Sequence, residues 1–265
     1  MFGKIADPDD RPFPGSAPVQ LAVFQLDFEE ERASKSKDGI RWKELLQQRG
    51  FRVPRLSAVK QQSMTVQMGG TASPQTNVDF DRRGWQAILD DGDANASVYP
   101  TGVRFERVKY PGFERFRKEL LDVMDALREL LEPEVQTRLS LTFSNALSDA
   151  AAETASFWRG KVRPNFLGAA QDDGLTEELK QGFMGCTFEH ADFLVDFRSS
   201  IQPDQVHIGR VAFVFQTEVI QQGIRSLDIA AVKASLEDAH VIALKMFYSV
   251  LDPAFIRQLR GVEEA

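Results

Sequence analysis

One cysteine in 265 residues, Cys186, leaves no partner for an internal disulfide. That excludes a disulfide-stapled scaffold and fits a reducing compartment. No stretch approaches the roughly 18 uncharged apolar residues of a membrane-crossing helix, and residues 1–10, with Lys4 as their single base, do not read as a signal segment. The expected location is cytoplasmic, with no membrane partner. Positive charge is also in deficit: 32 Lys and Arg against 39 Asp and Glu give a net charge of −7. Such a balance repels phosphate backbones, so nucleic acid is not an expected partner. Missing too are a Gly-x-Ser-x-Gly elbow, a Walker loop and a Gly-x-Gly-x-x-Gly turn. Gly69-Gly70-Thr71 lacks the lysine of a phosphate loop. No cofactor and no catalytic residue is assigned.

What is present suffices for a substantial core, since 43% of residues are hydrophobic and 10% aromatic. The Asp- and Pro-rich residues 1–16 have little to bury and are expected to form a tail. Leu21 to Phe28 alternates Phe24, Leu26 and Phe28 against Gln25 and Asp27, the period of a strand, and Ile40 to Gln48 reads as a short helix. A ragged strand is expected around Met64 to Met68. Trp85 to Leu89 and Ser97 to Tyr110 read as a hairpin across Asp90-Asp91-Gly92-Asp93. After Pro111-Gly112, the residues Phe113, Phe116, Leu120, Met124, Leu127 and Leu131 recur at helical spacing, and Pro133 ends the run.

The order then repeats. Leu139, Leu141 and Phe143 alternate with Arg138, Ser140, Thr142 and Ser144; a less regular stretch, 148–189, follows. A second hairpin pairs Phe193, Val195 and Phe197 with Val211, Phe213 and Phe215 around a turn at Gln202-Pro203-Asp204. A long helix from Leu227 to Val250 carries Leu236, His240, Leu244, Phe247 and Leu251 on one stripe, with Pro253 behind it. An offset of about 120 residues lays Phe116 on Leu236, Leu120 on His240 and Pro133 on Pro253. These patterns predict an α+β fold, a mostly antiparallel sheet with two long helices on one face. Its halves are read as a pseudo-twofold duplication of a strand/hairpin/long-helix unit, over 17–135 and 136–265, packed as one globular unit.

Several blocks resemble a family of uncharacterised, sporadically distributed bacterial proteins. They are the opening strand Pro18 to Phe28, of the type Pro-x-x-x-Ala-Val-Phe-x-Ile-x-Phe; Gly84-Trp85; Tyr110-Pro111-Gly112-Phe113-x-x-Phe116; Arg138 to Asn145; and Leu236-x-x-x-His240. Gln20 departs from the acidic residue usual after the opening proline. The resemblance transfers no settled activity. Its patchy occurrence implies an accessory role of the defence or toxin-neutralisation type.

Cys186-x-x-x-His190, with His207 and His240, is the one set that suggests zinc, but it lacks paired ligands on rigid elements, so no metal site is assigned. His240 is read as a core imidazole. The more informative pattern is the polar parity of the strands, which gathers Arg104, Arg138, Asp196, Arg198 and Arg210; together with Asn145 they are the candidate binding residues. An uncovered Arg-rich sheet face suits a protein partner or a small acidic ligand, because guanidinium forks pair directionally. Exposed sheet edges also make a homodimer expected. The leading expectation is a non-enzymatic binding module. The alternative is a hydrolase or biosynthetic enzyme with a pocket between the halves that uses His240 or His190.

Overall fold

The computed structural model describes residues 18–29, 36–60, 63–66, 76–79, 83–90, 92–175, 177–179 and 181–261. The expected tail, 1–16, lies outside them. Eleven strands and four α-helices follow in the order β1 (Val19–Phe28), α1 (Ser36–Gln48), β2 (Arg55–Lys60), β3 (Ser63–Val66), β4 (Thr76–Asp79), β5 (Arg83–Leu89), β6 (Ala94–Tyr99), β7 (Gly102–Val108), α2 (Phe113–Leu131), β8 (Val135–Leu147), β9 (Gly182–His190), β10 (Phe193–Pro203), β11 (Val211–Ser226), α3 (Ile229–Val250) and α4 (Pro253–Leu259). Three 3₁₀ turns lie between β8 and β9. Nine strands form one antiparallel sheet in the order β2-β5-β6-β7-β1-β8-β11-β10-β9, while β3 and β4 pair apart from it. Among the described residues, no helix is long and apolar enough to cross a membrane.

The central strands obey the period of two that their sequences carry. On β1 the residues Ala22, Phe24, Leu26 and Phe28 are buried, and on β8 Leu139, Leu141 and Phe143 join them in the same core. The helices cover that face. From α1 come Trp42, Leu45 and Leu46, from α2 Phe116, Leu120, Val123 and Leu127, and from α3 Val232, Leu236 and Ala239. A second cluster gathers Met246, Phe247 and Val250 of α3, Phe255 and Ile256 of α4, Trp158 from the 3₁₀ region, and Phe197, Phe213 and Phe215 of the sheet. Asp228 caps α3 by accepting from the Ala231 N–H, and Asp252 caps α4 in the same way from Ala254. Pro253, expected only to terminate α3, also starts α4 at its first turn, where a missing N–H costs nothing.

Two expectations need correction. The segment Ser97 to Tyr110 is not one strand: it breaks at Pro100-Thr101 into the end of β6 and the whole of β7, so the first hairpin is a three-stranded meander. The irregular region 148–189 contains most of β9. Cys186 and His190 therefore sit four residues apart on a strand, about 13 Å, rather than in a loop. In addition, β2 forms an outer strand that its mixed sequence did not signal.

The blocks that carried the family resemblance have structural work within the core. A Cβ on Gly84 would lie 2.3 Å from the Val98 carbonyl oxygen, so only glycine lets β5 approach β6 there. Gly112, at φ 95°, turns the chain from β7 into α2. Tyr110 then meets Phe143 edge-on at 5.2 Å, and Phe116 lies 5.4 Å from Phe105. His240 stacks on Phe113 with ring centroids 3.7 Å apart.

Candidate functional site

The face of the sheet opposite the helices is polar, and no described element covers it. Register arranges its side chains in rows that cross the strands. One row runs Asn95, Glu106, Val23, Thr142, Glu218, Asp196 and Thr187, from β6 to β9. The next row on one side carries Ser97, Arg104, Gln25 and Ser140; on the other side lie Leu21, Ser144, Gln216 and Arg198. Where these rows cross β7, β1, β8 and β11, the surface dips into a depression of about 180 Å³. Its lining includes Gln25, Arg104, Ser140, Thr142, Ser144, Gln216 and Glu218, with Leu21 and Val23 as the apolar part. Ser140 is only 3% exposed although it lies on this face, which shows how closely its neighbours stand around it.

Of the six residues singled out from the sequence, Arg104, Arg138, Asp196 and Arg198 lie on this face. Their guanidinium groups are not free forks. Arg104 Nε donates to Glu106 Oε1 at 2.7 Å. Arg138 Nη2 donates to Glu218 Oε1 at 2.5 Å, and Nη1 stands 3.6 Å from Asp27 Oδ2, so this side chain ties β8 to β11 and to β1. Arg198 Nη2 lies 2.7 Å from Asp196 Oδ2. Asp196 and Glu218 occupy directly opposed positions on β10 and β11. Opposed like charges are destabilising, and Arg198 and Arg138 offset that repulsion. Four carboxylates, Asp27, Glu106, Asp196 and Glu218, meet three arginines, so the face is mixed in charge rather than basic.

The other two residues lie elsewhere. Asn145 shares the parity of Leu141 and Phe143 and is buried on the helix side, where its Nδ2 donates to the Phe215 carbonyl at 3.5 Å. The alternation of β8 already placed it there. Arg210 precedes β11; its Nε donates to the Ala150 carbonyl at 2.7 Å and its Nη1 pairs with Glu153 at 3.0 Å. It belongs to the connection between β10 and β11, which a strand parity cannot reach.

The same connection brings together Ser148, Asp204 and His207, a set with the composition of a hydrolytic triad. Its geometry is that of a loop clamp. Ser148 Oγ lies 3.0 Å from His207 Nδ1, and Asp204 Oδ2 lies 3.1 Å from that same nitrogen, so the imidazole does not bridge acid and hydroxyl through its two nitrogens as a relay requires. Ser148 Oγ donates directly to Asp204 Oδ2 at 2.5 Å, while Oδ1 accepts the backbone N–H groups of Val206 and His207. Burial by itself would raise the Asp204 carboxyl, but these donors outweigh it and hold the group at about 2. Asp204 is thus a fixed anion at neutral pH that shapes the loop.

Neither histidine of the enzymatic alternative lines the depression. His240 is 7% exposed between Phe113 and Phe143; burial, and then the Arg117 charge, push it down to about 4. His190 ends β9 opposite Phe193. Burial, with a smaller contribution from Asp196, raises the Cys186 thiol, which disfavours a thiolate nucleophile. Among the described residues, no group of three His, Cys, Asp or Glu is disposed to hold a metal ion.

No protein-family model matches the chain, and no curated protein matches it. Among solved structures, the S. pombe Pct1 RNA triphosphatase in complex with the Spt5 CTD aligns over 94% of this chain and 88% of that one at 9% identity. The TM-score is 0.13, and a likeness at that level carries no argument about fold or function.

Proposed function

We propose that this chain is a non-enzymatic binding module whose protein partner docks on the open sheet face, in the accessory, defence or toxin-neutralisation setting that the family resemblance implies. The observation that carries the reading is the polar depression among β7, β1, β8 and β11, open to solvent and bounded by paired charges of both signs. Such pairs give a partner directional contacts without a strong net field, which favours specificity over electrostatic attraction. A partner with acids and bases side by side fits this face better than a purely acidic ligand does.

Two substitutions test the reading. Thr142→Trp fills the depression and leaves every ion pair in place; Arg104→Ala removes one fork at its rim. Affinity capture from the native host should recover a partner with the wild-type chain and lose it with Thr142→Trp. Arg104→Ala should weaken recovery by roughly tenfold or more, the range for anchoring arginines. Equal recovery with all three chains would discard the face as the binding site.

We infer also that the two halves derive from one unit. Support comes from strand order: β1 followed by the meander β5-β6-β7 and then α2 has the same layout as β8 followed by β9-β10-β11 and then α3, with β1 and β8 adjacent at the centre. Arg117 and Glu237, separated by 120 residues, meet at 2.5 Å between the two helices, as equivalent positions near a twofold axis do. A twofold rotation that fails to carry α2 onto α3 would end this inference.

A further inference from the structure

The depression on the open face holds more hydrogen-bonding capacity than the protein itself uses. Arg104 reaches Glu106 through Nε and Nη2, which leaves its Nη1 edge. Glu218 accepts from Arg138 at Oε1 and keeps Oε2. Gln25 donates from Nε2 to the Asp27 carboxylate, so its amide oxygen remains; Gln216 accepts from Ser144 Oγ at 3.4 Å, so its amide nitrogen remains. Between them on β8, the hydroxyls of Ser140 and Thr142 meet no partner among the described residues. The remaining donors and acceptors are interleaved. By register the Gln25 acceptor lies directly opposite the Arg104 donor on β1 and β7, and the Glu218 acceptor stands two residues from the Gln216 donor on β11.

We propose that this depression is a binding site for one neutral sugar residue, a pyranose ring. A hydroxyl both donates and accepts, so a ring carrying several of them answers a donor and an acceptor on each flank and the two hydroxyls beneath. One guanidinium and one carboxylate line the site, and their charges cancel. An anion would be opposed by Glu218 and a cation by Arg104. A zwitterion would need the donors on one side and the acceptors on the other, which the register does not provide. Leu21 and Val23 give the C–H edges of a sugar an apolar contact, while no aromatic ring among the described residues lines the depression for a nucleobase to stack on. About 180 Å³ admits one ring rather than a chain of them. The inference rests on the open face being a binding surface, not on a protein partner.

Heteronuclear NMR titration of the full chain with glucose, galactose and mannose tests it, with glutamate, arginine and glycine as charged and zwitterionic controls. One of these hexoses should shift the amide signals of Gln25, Ser140, Thr142 and Gln216 in preference to its epimers. The dissociation constant should be on the order of 1 mM, the range for a ligand of about twelve non-hydrogen atoms. Ser140→Ala and Thr142→Val each remove a hydroxyl that holds nothing in the protein, and valine keeps the branched shape that suits a strand. Each should weaken the sugar about fivefold, and the two together about twentyfold, without lowering the melting temperature. Methyl glycosides separate the sources: undiminished binding marks the end of a glycan, whereas loss marks a free sugar. No response to any of the hexoses at concentrations well above that constant, tighter binding of a control than of every hexose, or a double variant that binds like the wild type would each overturn the proposal. Its failure leaves protein capture by the same face standing, and a chain that captures no protein yet binds the sugar sinks the protein partner alone.

Discussion

At the scale of single residues, His240 shows how a side chain that suggests chemistry can be fixed by packing. It lies flat on Phe113, edge-on to Phe143, with Arg117 close enough to oppose a second positive charge. In the unfolded chain an imidazole takes up its proton near pH 6.5, whereas the folded chain resists until about 4. Between those values the unfolded state holds more protons, so stability is complete above about pH 6.5 and is lost progressively as pH falls toward 4, levelling below it. A depression of this size corresponds to roughly 3 kcal/mol. His240→Phe keeps an aromatic stack and removes the titration, so its unfolding free energy should fall less across that window than that of the wild type. Parallel curves in urea titrations at a series of pH values would refute the assignment. Asp204 acts in a separate window: held at about 2, its contribution is present above an ordinary carboxyl value near 4 and is lost as pH falls toward 2.

At the scale of elements, the junction of α1 with β5 decides the sign of a substitution that propensity alone would misjudge. Gly39 lies within α1, where alanine is intrinsically better by about 1 kcal/mol. Yet a Cβ there would stand 2.4 Å from Trp85 Cδ2 and 2.6 Å from Cε3, at the fused part of the indole rather than at a flexible tip. Displacing that ring from its place beside the core costs about 1–3 kcal/mol. Gly39→Ala should therefore destabilise the protein despite the better helix former, lowering the melting temperature by a few degrees, and a rise on thermal scanning would contradict the packing account. Other elements were legible because their apolar periods are long: α2 begins at Phe113 and reaches Leu131, as its spacing implies. β9 was harder. Met184, Cys186 and Phe188 do alternate, but Cys186 and His190 also match an i, i+4 helical spacing, and short apolar patterns cannot separate the two periods.

At the scale of the whole molecule, the open face is held together by charges that come from distant parts of the chain. Arg138 joins Asp27 on β1 and Glu218 on β11, with side chains 28%, 25% and 20% exposed. A solvated arginine on an open sheet face adds little to folding. Removing a half-buried cation that two carboxylates share leaves both without it, and Arg138→Ala should cost about 1–2 kcal/mol. Arg198, 58% exposed and paired with Asp196 of its own strand, should change stability by no more than about 0.5 kcal/mol when replaced by alanine. Urea unfolding of both variants checks the contrast; equal losses would mean that Arg138 does not bridge the strands.

The sequence by itself determined the α+β class, the two long helices, the buried parity of β1, β8, β10 and β11, and the core position of His240. Each follows from a local period or from the high cost of burying charge. The parity of β8 also puts Asn145 with Leu141 and Phe143 on the covered side, which its selection as a binding candidate overlooked. Only the tertiary structure decided which carboxylate each arginine meets, because Arg138 and Glu218 are 80 residues apart and their contact depends on the register between β8 and β11. It likewise decided that Ser148, Asp204 and His207 converge on one loop, and that β9 lies at an edge. Strand neighbours are set by how all faces are buried together, a condition that no single segment contains.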